Sequence, residues 1–371
     1  MEYKVRFVNY PAHYHSIERE IDAAIKEILL NGDFILRSQL EEFEKNIASF
    51  IGVKHAVGVN SGTDALYLSA IAAGMGRGME VITVAHTFVA TVGAIVHCGA
   101  TPILIDIGED HNMDVEQLEA AITPQTNAII PVHLNGYVCD MGTVMAIADE
   151  HDLIVIEDAA QALGATINGK NAGSFGLSGC FSFYPAKMLG TIGDGGLVAT
   201  NDDEFAEKIR ALRDNGRTPS GELYGYGFCS RLDNLHAAIL DVKLKYLPKW
   251  IERRREIADL YYQGLSDLPE LKLPPRSDNR FFDVYQNYVI RSKERDPLVA
   301  HLAESGIETL ISWPKPMHRY AALGLGHFKL PMTEQLSEEV LSLPMYPELS
   351  DAQVGYVVDA IHEFYKNSTY K

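Results

Sequence analysis

Short, mainly apolar runs punctuate the first half of the chain at His55–Val59, Glu80–Val84, Thr101–Ile105, Ala128–Val132 and Leu153–Ile156. Their length and β-branched content read as strands buried on both faces. Helical spacing of apolar residues fills the intervals, at Ala65–Ala73, Ala90–His97, Val115–Ala121 and Met141–Glu150. Strands and helices in alternation predict an α/β architecture, a mostly parallel sheet covered by helices. In such sheets ligands collect beyond the carboxyl ends of the strands.

From about Leu244 the pattern changes. A charged segment, Lys249–Arg255, opens a long helix, and Pro269, Pro274 and Pro275 interrupt the chain beyond it. A strand is predicted at Tyr285–Ile290, a helix at Asp296–Ser305 and a last helix at Ala352–Tyr365. The expected organisation is a large domain over 1–243, N-terminal segment included, and a smaller α+β domain over 244–371. A chain of 371 residues suits this division.

A hydrophobic content of 47% and a charged content of 22% are ordinary for a globular protein and exclude a disordered or fibrous chain. The net charge of −18 argues against nonspecific attraction to nucleic acid polymers or anionic membranes. An anionic substrate then needs a locally positive pocket. Residues 1–16 hold no apolar signal core, and no later run approaches the roughly 18 apolar residues of a membrane span. The chain therefore reads as cytoplasmic. Cys98, Cys139, Cys180 and Cys229 are scattered with no C-x-x-C pair, which argues against a zinc site or a disulfide framework, and no metal is expected.

The chemistry concentrates around Lys187. It stands between the strand-like Cys180–Phe183 and a glycine-rich turn, Gly190–Gly196. A Schiff-base lysine would sit at such a place. Upstream, Asp158 ends the apolar run that carries Glu157-Asp158-Ala159-Ala160-Gln161. Amine and acid together are what a pyridoxal phosphate (PLP) enzyme requires, one to hold the aldehyde and the other to keep the ring nitrogen protonated. Asp158 is also suited to cap the helix that follows it. Gln161 reaches the same region and is placed to bond the ring oxygen.

Two further segments fit. The turn Asn60-Ser61-Gly62-Thr63-Asp64 joins a strand to a helix, and its free N–H groups offer a phosphate site. Ser61 or Thr63 acting as an ordinary N-cap is the plainer reading. Phe88, just past the strand at Glu80–Val84, is placed either to stack on a planar ring or to join the core.

Taken together, the chain resembles the nucleotide-sugar aminotransferases of the DegT/DnrJ/StrS type, which have the aspartate aminotransferase-like fold of fold-type I PLP enzymes. The resemblance runs through nearly the whole chain in order: N-G-D-F-I at Asn31–Ile35, S-G-T-D-A-L at Ser61–Leu66, T-F-V-A-T at Thr87–Thr91, E-D-A-A-Q at Glu157–Gln161 and S-F-Y-P-A-K at Ser182–Lys187. It continues with G-D-G-G at Gly193–Gly196, S-R-L-D at Ser230–Asp233 and L-P-M-Y-P-E-L-S at Leu343–Ser350.

The resemblance implies that Lys187 carries the Schiff base and shuttles the proton, while Asp158 pairs with the pyridinium nitrogen. Gln161 would contact the ring hydroxyl and Phe88 would stack on the ring. Ser182 and the amides of Gly62 and Thr63 would hold the phosphate. Tyr184 and His318 look like positions that face the substrate. The implied reaction passes the amino group of L-glutamate to a keto sugar carried on a nucleotide, in a homodimer with shared active sites.

Some positions depart from the commoner family pattern. Cys229 stands where many relatives have an asparagine that reaches the neighbouring subunit's phosphate. Asn135 stands where tyrosine is frequent, and Val84 where proline is usual. Tyr184, in place of a common histidine, and Arg231-Leu232-Asp233 favour a 3-keto over a 4-keto acceptor. Two other readings compete: the sugar dehydratase branch, in which histidine replaces the Schiff-base lysine, and a noncatalytic regulator, which has no need of Lys187 or Asp158.

Overall fold

The computed structural model describes residues 3–218 and 220–368. Its centre is a seven-stranded sheet formed by β1 (His55–Val59), β2 (Glu80–Val84), β3 (Thr101–Ile105), β4 (Thr126–Ile129), β5 (Ile154–Asp158), β6 (Ser178–Ser182) and β7 (Gly196–Thr200). The spatial order is β1-β7-β6-β5-β4-β2-β3. Every neighbouring pair from β6 to β3 is parallel, and β7 alone runs antiparallel to both its neighbours. The cause is the connection from β6 to β7: residues 183–195 form a loop with no crossover helix, so the chain must turn straight back. That loop carries Lys187 and emerges at the same sheet edge as the carboxyl ends of β1, β2 and β5.

Adjacent strand residues feed opposite cores, as the period of two requires. Ala56, Ile82, Ile129, Val155, Phe181 and Leu197 pack on one side with helices α1 (Tyr10–Asn31) and α2 (Ser38–Ile51). Val57, Val81, Ala128, Ile156, Cys180 and Val198 face the other side, under α3 (Gly62–Ala72), α4 (Val89–His97) and, beyond α5 (Met141–Glu150), α6 (Asp203–Arg213). Burial on both faces explains why the runs lack alternation. A buried ion pair ties two layers together: Glu44 of α2 accepts from Arg213 of α6 and from Gly58 N at 2.8 Å, while Arg213 also bonds Gly58 O at 2.8 Å.

Helix α7 (Asn234–Leu244) packs on α1 and α2, whereas α8 (Leu247–Leu265) packs on α11 (Asp351–Ser368). Around α8 gathers a second core that includes α9 (Arg295–Glu304), α11 and a small antiparallel sheet of β8 (Leu271–Lys272), β9 (Tyr288–Ser292) and β10 (Val340–Leu343). Helix α10 (Pro331–Glu339) leads into β10. Val5 belongs to this second core and bridges Ile307. Among the described residues no helix is long and apolar enough to cross a membrane.

Two expectations need correction. Residues 115–121 form two short 3₁₀ turns, Val115–Gln117 and Glu119–Ala121, in place of a helix. The Asp114 carboxylate tightens the first by accepting from Glu116 N at 3.2 Å and Gln117 Nε2 at 2.7 Å, and Pro124 blocks extension. The strand expected at 285–290 spans Tyr288–Ser292. Tyr285 has φ +49, and Asp283 Oδ1 accepts its N–H at 2.6 Å, which makes a turn there.

Candidate active site

At the end of β5, neighbouring carboxylates point to opposite faces of the sheet and meet different fates. Glu157 is wholly buried and fully satisfied, accepting from Gly173 N at 2.7 Å, Phe175 N at 2.6 Å, Gly176 N at 2.9 Å and the His133 ring at 3.0 Å. Because Cys139 N donates to His133 Nδ1 at 3.2 Å, the proton of that ring lies on Nε2. Asp158 is buried as well, but among the described residues its hydrogen-bond partners are the Thr91 hydroxyl at 2.7 Å and Ala160 N at 3.2 Å. Among the described residues it forms no ion pair. Burial raises its pKa above the usual aspartate value, against the pull of Thr91, Ala160, Lys187 and His133. A buried acid with two neutral donors leaves room for a cation.

Lys187 lies across the same cavity. Burial lowers its pKa below that of a free lysine, and the nearby Asp158 charge works in the opposite direction. Its loop is fastened from three sides. Phe183 and Gly195 pair across its mouth at 2.8 Å, Lys243 Nζ of α7 donates to Gly190 O at 2.6 Å, and Gln286 Nε2 donates to Ala186 O at 2.8 Å. Gly190 is required by a close approach, since a Cβ there would lie 2.4 Å from Pro185 O.

The N-terminus of α3 forms the far end. Ser61 caps it by accepting from Asp64 N at 3.1 Å, and Ser61 O takes Ala65 N at 3.0 Å. The amides of Gly62 and Thr63 precede any intrahelical partner and face the cavity with the positive end of the helix dipole. Ser182, at the end of β6, presses against Gly62 so closely that a Cβ on Gly62 would come 2.7 Å from the Ser182 Cβ. Ser182 Oγ accepts from Tyr184 N at 3.3 Å, which leaves its own proton to donate.

The orientation of Gln161 is set by Asn135, whose N–H donates to Gln161 Oε1 at 2.8 Å. The amide NH₂ is left for a cavity acceptor. Phe88, the residue just before α4, has 60% of its surface exposed, and Tyr184 is 54% exposed. Large aromatics so uncovered at a cavity wall suit a planar ligand.

One cavity of about 500 Å³ brings together Gly62, Thr63, Phe88, Asp158, Gln161, Ser182, Tyr184 and Lys187. His318 is not part of its lining. It is 1% exposed, in the turn Met317–Arg319, and its Nε2 meets Glu334 Oε1 at 2.9 Å, so the ring is committed to α10. Cys229 also lies away from the lining, exposed, with Arg231 Nη2 at 3.1 Å. The sequence reading missed His133, Asp194 and Trp313, which line the cavity, and the bond from Thr91 to Asp158. Only Asp194 carried a signal, its place in the glycine-rich turn after Lys187.

The family described as the DegT/DnrJ/EryC1/StrS aminotransferase family matches residues 15–362. A Geobacillus stearothermophilus protein named as a pleiotropic regulatory protein is 43% identical over 98% of this chain and 99% of its own length. A dTDP-3-amino-3,4,6-trideoxy-α-D-glucose transaminase from Streptomyces venezuelae is 41% identical over 97% of this chain and 96% of its own. The crystal structure of S. venezuelae DesV in complex with a ketimine intermediate superposes with a TM-score of 0.94 at 40% identity, covering 98% of this chain and 99% of that one.

Proposed function

We propose a mechanism and a substrate class from a plain premise: the chain belongs to the DegT/DnrJ/EryC1/StrS aminotransferase family, and it is a PLP-dependent aminotransferase. Lys187 would hold the cofactor aldehyde, Asp158 the ring N–H⁺, and the Gln161 amide would donate to the ring hydroxyl. Phe88 would cover a ring face, while Gly62 N, Thr63 N and the Ser182 hydroxyl would take the phosphate. One observation carries this reading. A buried carboxylate with no ion pair among the described residues and an amine of lowered proton affinity share one cavity with a free helix N-terminus.

When bound, the cofactor supplies the electron sink for the substrate carbanion. The protein supplies position and protons. Lys187 Nζ must be neutral to take the α-proton of the donor, and burial favours that form. Asp158, held by Thr91 and Ala160 N, would when charged keep the proton on the ring nitrogen. Gln161, whose Oε1 is held by Asn135 N, would offer its NH₂ to the ring hydroxyl. Leu66, Val132 and Leu134 supply apolar wall to the cavity that Lys187 lines.

L-glutamate is the proposed donor and a nucleotide-linked keto sugar the acceptor. A 3-keto acceptor is favoured by Tyr184 and Arg231–Asp233, and by the relative named as a 3-amino sugar transaminase. Lysine at 187 speaks against the dehydratase branch. The intact pair of Lys187 and Asp158 speaks against a regulator without chemistry, although one relative bears a regulatory name. We read the working form as a homodimer. The exposed apolar side chains Leu30, Phe34, Ile192 and Leu223 support that reading.

The test loads the enzyme with PLP, adds glutamate and offers a panel of nucleotide-linked 3-keto and 4-keto sugars, with the amino product read by mass spectrometry. Amination of a 3-keto member is expected. Absence of product from every sugar, with glutamate converted to its keto acid, would sink the substrate class.

A further inference from the structure

We propose that Trp313 is the platform on which the hexose ring of the acceptor lies, and so a residue that determines its selection. This rests on the substrate class proposed above. Three large aromatic side chains line the cavity: Phe88, Tyr184 and Trp313. Phe88 is taken by the cofactor ring. Among the described residues the ionisable groups of the lining include Asp158, Asp194 and Lys187 but no arginine, and the one amine, Lys187, is taken by the cofactor aldehyde. A diphosphate finds no cationic partner inside, so the part of a nucleotide sugar that enters is the uncharged sugar.

The backbone singles out Trp313. Its φ is +53, in the left-handed region. A bulky side chain is rarely found there, and the residue before a proline, here Pro314, is turned away from helical conformations as well. Such a conformation persists only where the surroundings impose it. The surroundings are visible. The His86 ring meets the indole at 5.8 Å and 64°, and His111 backs His86 at 5.8 Å and 78°. Met317 N donates to Ala85 O at 3.3 Å, which ties this segment to the end of β2, and Trp313 packs on the cluster of Ala85, Val92, Leu325 and Leu330. His86 is buried and its pKa is pushed down to about 4, so the backing is neutral.

The result is a rigid, half-buried indole at the wall of the cavity that contains Lys187. A pyranose ring presents axial C–H groups on its faces and hydroxyls at its rim. An indole covers the first and leaves the second free, so the ring is oriented without the use of a hydroxyl. Glutamate has no ring to place there, and the two half-reactions are thereby separable.

The test uses the PLP-loaded enzyme at saturating glutamate. Trp313→Ala is expected to raise KM for the keto sugar about tenfold or more, and Trp313→Phe only about threefold, with the glutamate half-reaction, followed as the change in cofactor absorbance, affected far less than the sugar half-reaction. Because the chain has 2 tryptophans, Trp250→Phe leaves Trp313 as the only indole, and its emission is expected to change as the nucleotide sugar binds. An unchanged sugar KM in Trp313→Ala overturns the inference, as does constant Trp313 emission under conditions where the sugar is aminated. If the wild type converts glutamate but aminates no keto sugar, the substrate class fails and this inference with it. Loss of the glutamate half-reaction in the wild type is a different outcome, which overturns the assignment of the cavity itself.

Discussion

Thr91 Oγ1 donates to Asp158 Oδ2 at 2.7 Å, and Thr87 Oγ1 stands 2.8 Å behind it. Since Asp158 can only accept when charged, Thr91 spends its proton on the carboxylate, and Thr87 donates to Thr91. The relay starts at the mouth of α4 and ends on the acid. Thr91→Val removes a bond that favours the charged form, so the Asp158 pKa rises further. A hydrogen bond to a charged group contributes about 1.5–3 kcal/mol, so we expect turnover to fall by roughly tenfold to a hundredfold, with partial recovery in Thr91→Ser. Steady-state kinetics on the two variants checks this.

Asp158→Asn separates function from stability. The carboxylate has a raised pKa in the folded state, so its contribution is fully present below the ordinary aspartate pKa and is lost as pH rises through the raised value. At neutral pH the cofactor-free protein bears the full cost of that buried charge. The asparagine variant is expected to be more stable than the wild type by about 1–2 kcal/mol at pH 7 to 8, with the advantage shrinking as pH falls toward 4. Turnover is expected to drop sharply while cofactor still binds. Urea unfolding of the cofactor-free proteins at several pH values provides the measurement, and an advantage that grows on acidification would contradict the sign.

For Lys187→Ala we expect the fold to persist and transamination to vanish, because the loop is held by its backbone and by Lys243 and Gln286, not by the amine. Borohydride reduction of the wild-type holoenzyme followed by peptide mapping should place the adduct at 187. Appreciable turnover with glutamate in the variant would falsify the assignment.

The pair of Glu44 and Arg213 lies outside the cavity, and its loss should be felt only in stability. Glu44→Ala leaves Arg213, which is 7% exposed, without its carboxylate. Breaking one side of a buried pair costs about 3–5 kcal/mol. We expect a loss of that order in chemical denaturation with kcat per folded molecule unchanged. The double variant Glu44→Leu, Arg213→Met should recover most of it, since neither charge then remains buried.

The strands were legible because each is short, apolar and covered on both faces, and Lys187 and Asp158 because each stands within a few residues of a strand end. The signals that failed were of another kind. Trp313 reaches the cavity from a segment far along the chain, and nothing local in Ser312-Trp313-Pro314 marks the destination. Thr91 reads as one more threonine inside a helix, since its partner is 67 residues away. At 115–121 apolar spacing suggested a helix, while the side chain of Asp114 and the nearby Pro124 decided otherwise. Sequence shows what a segment favours by itself, and these outcomes were set by contacts between segments.

Gly62 tests the phosphate end of the cavity with the smallest available change. Its Cβ would meet the Cβ of Ser182 at 2.7 Å and the Cα at 3.2 Å. The two groups belong to rigid elements, the first turn of α3 and the end of β6, so neither can retreat without moving its amide or hydroxyl. Gly62→Ala is therefore expected to spread the donors that meet the phosphate. Charge-assisted hydrogen bonds weaken steeply with misalignment, so PLP affinity should fall about tenfold or more, alongside a loss of unfolding free energy of about 1–3 kcal/mol from the forced overlap. Titration of the cofactor-free variant with PLP, followed by absorbance, reads the affinity directly. Ser182→Ala should weaken binding less, as it removes one donor and leaves the two amides in place. If Gly62→Ala binds PLP as tightly as the wild type, the phosphate does not sit between α3 and β6.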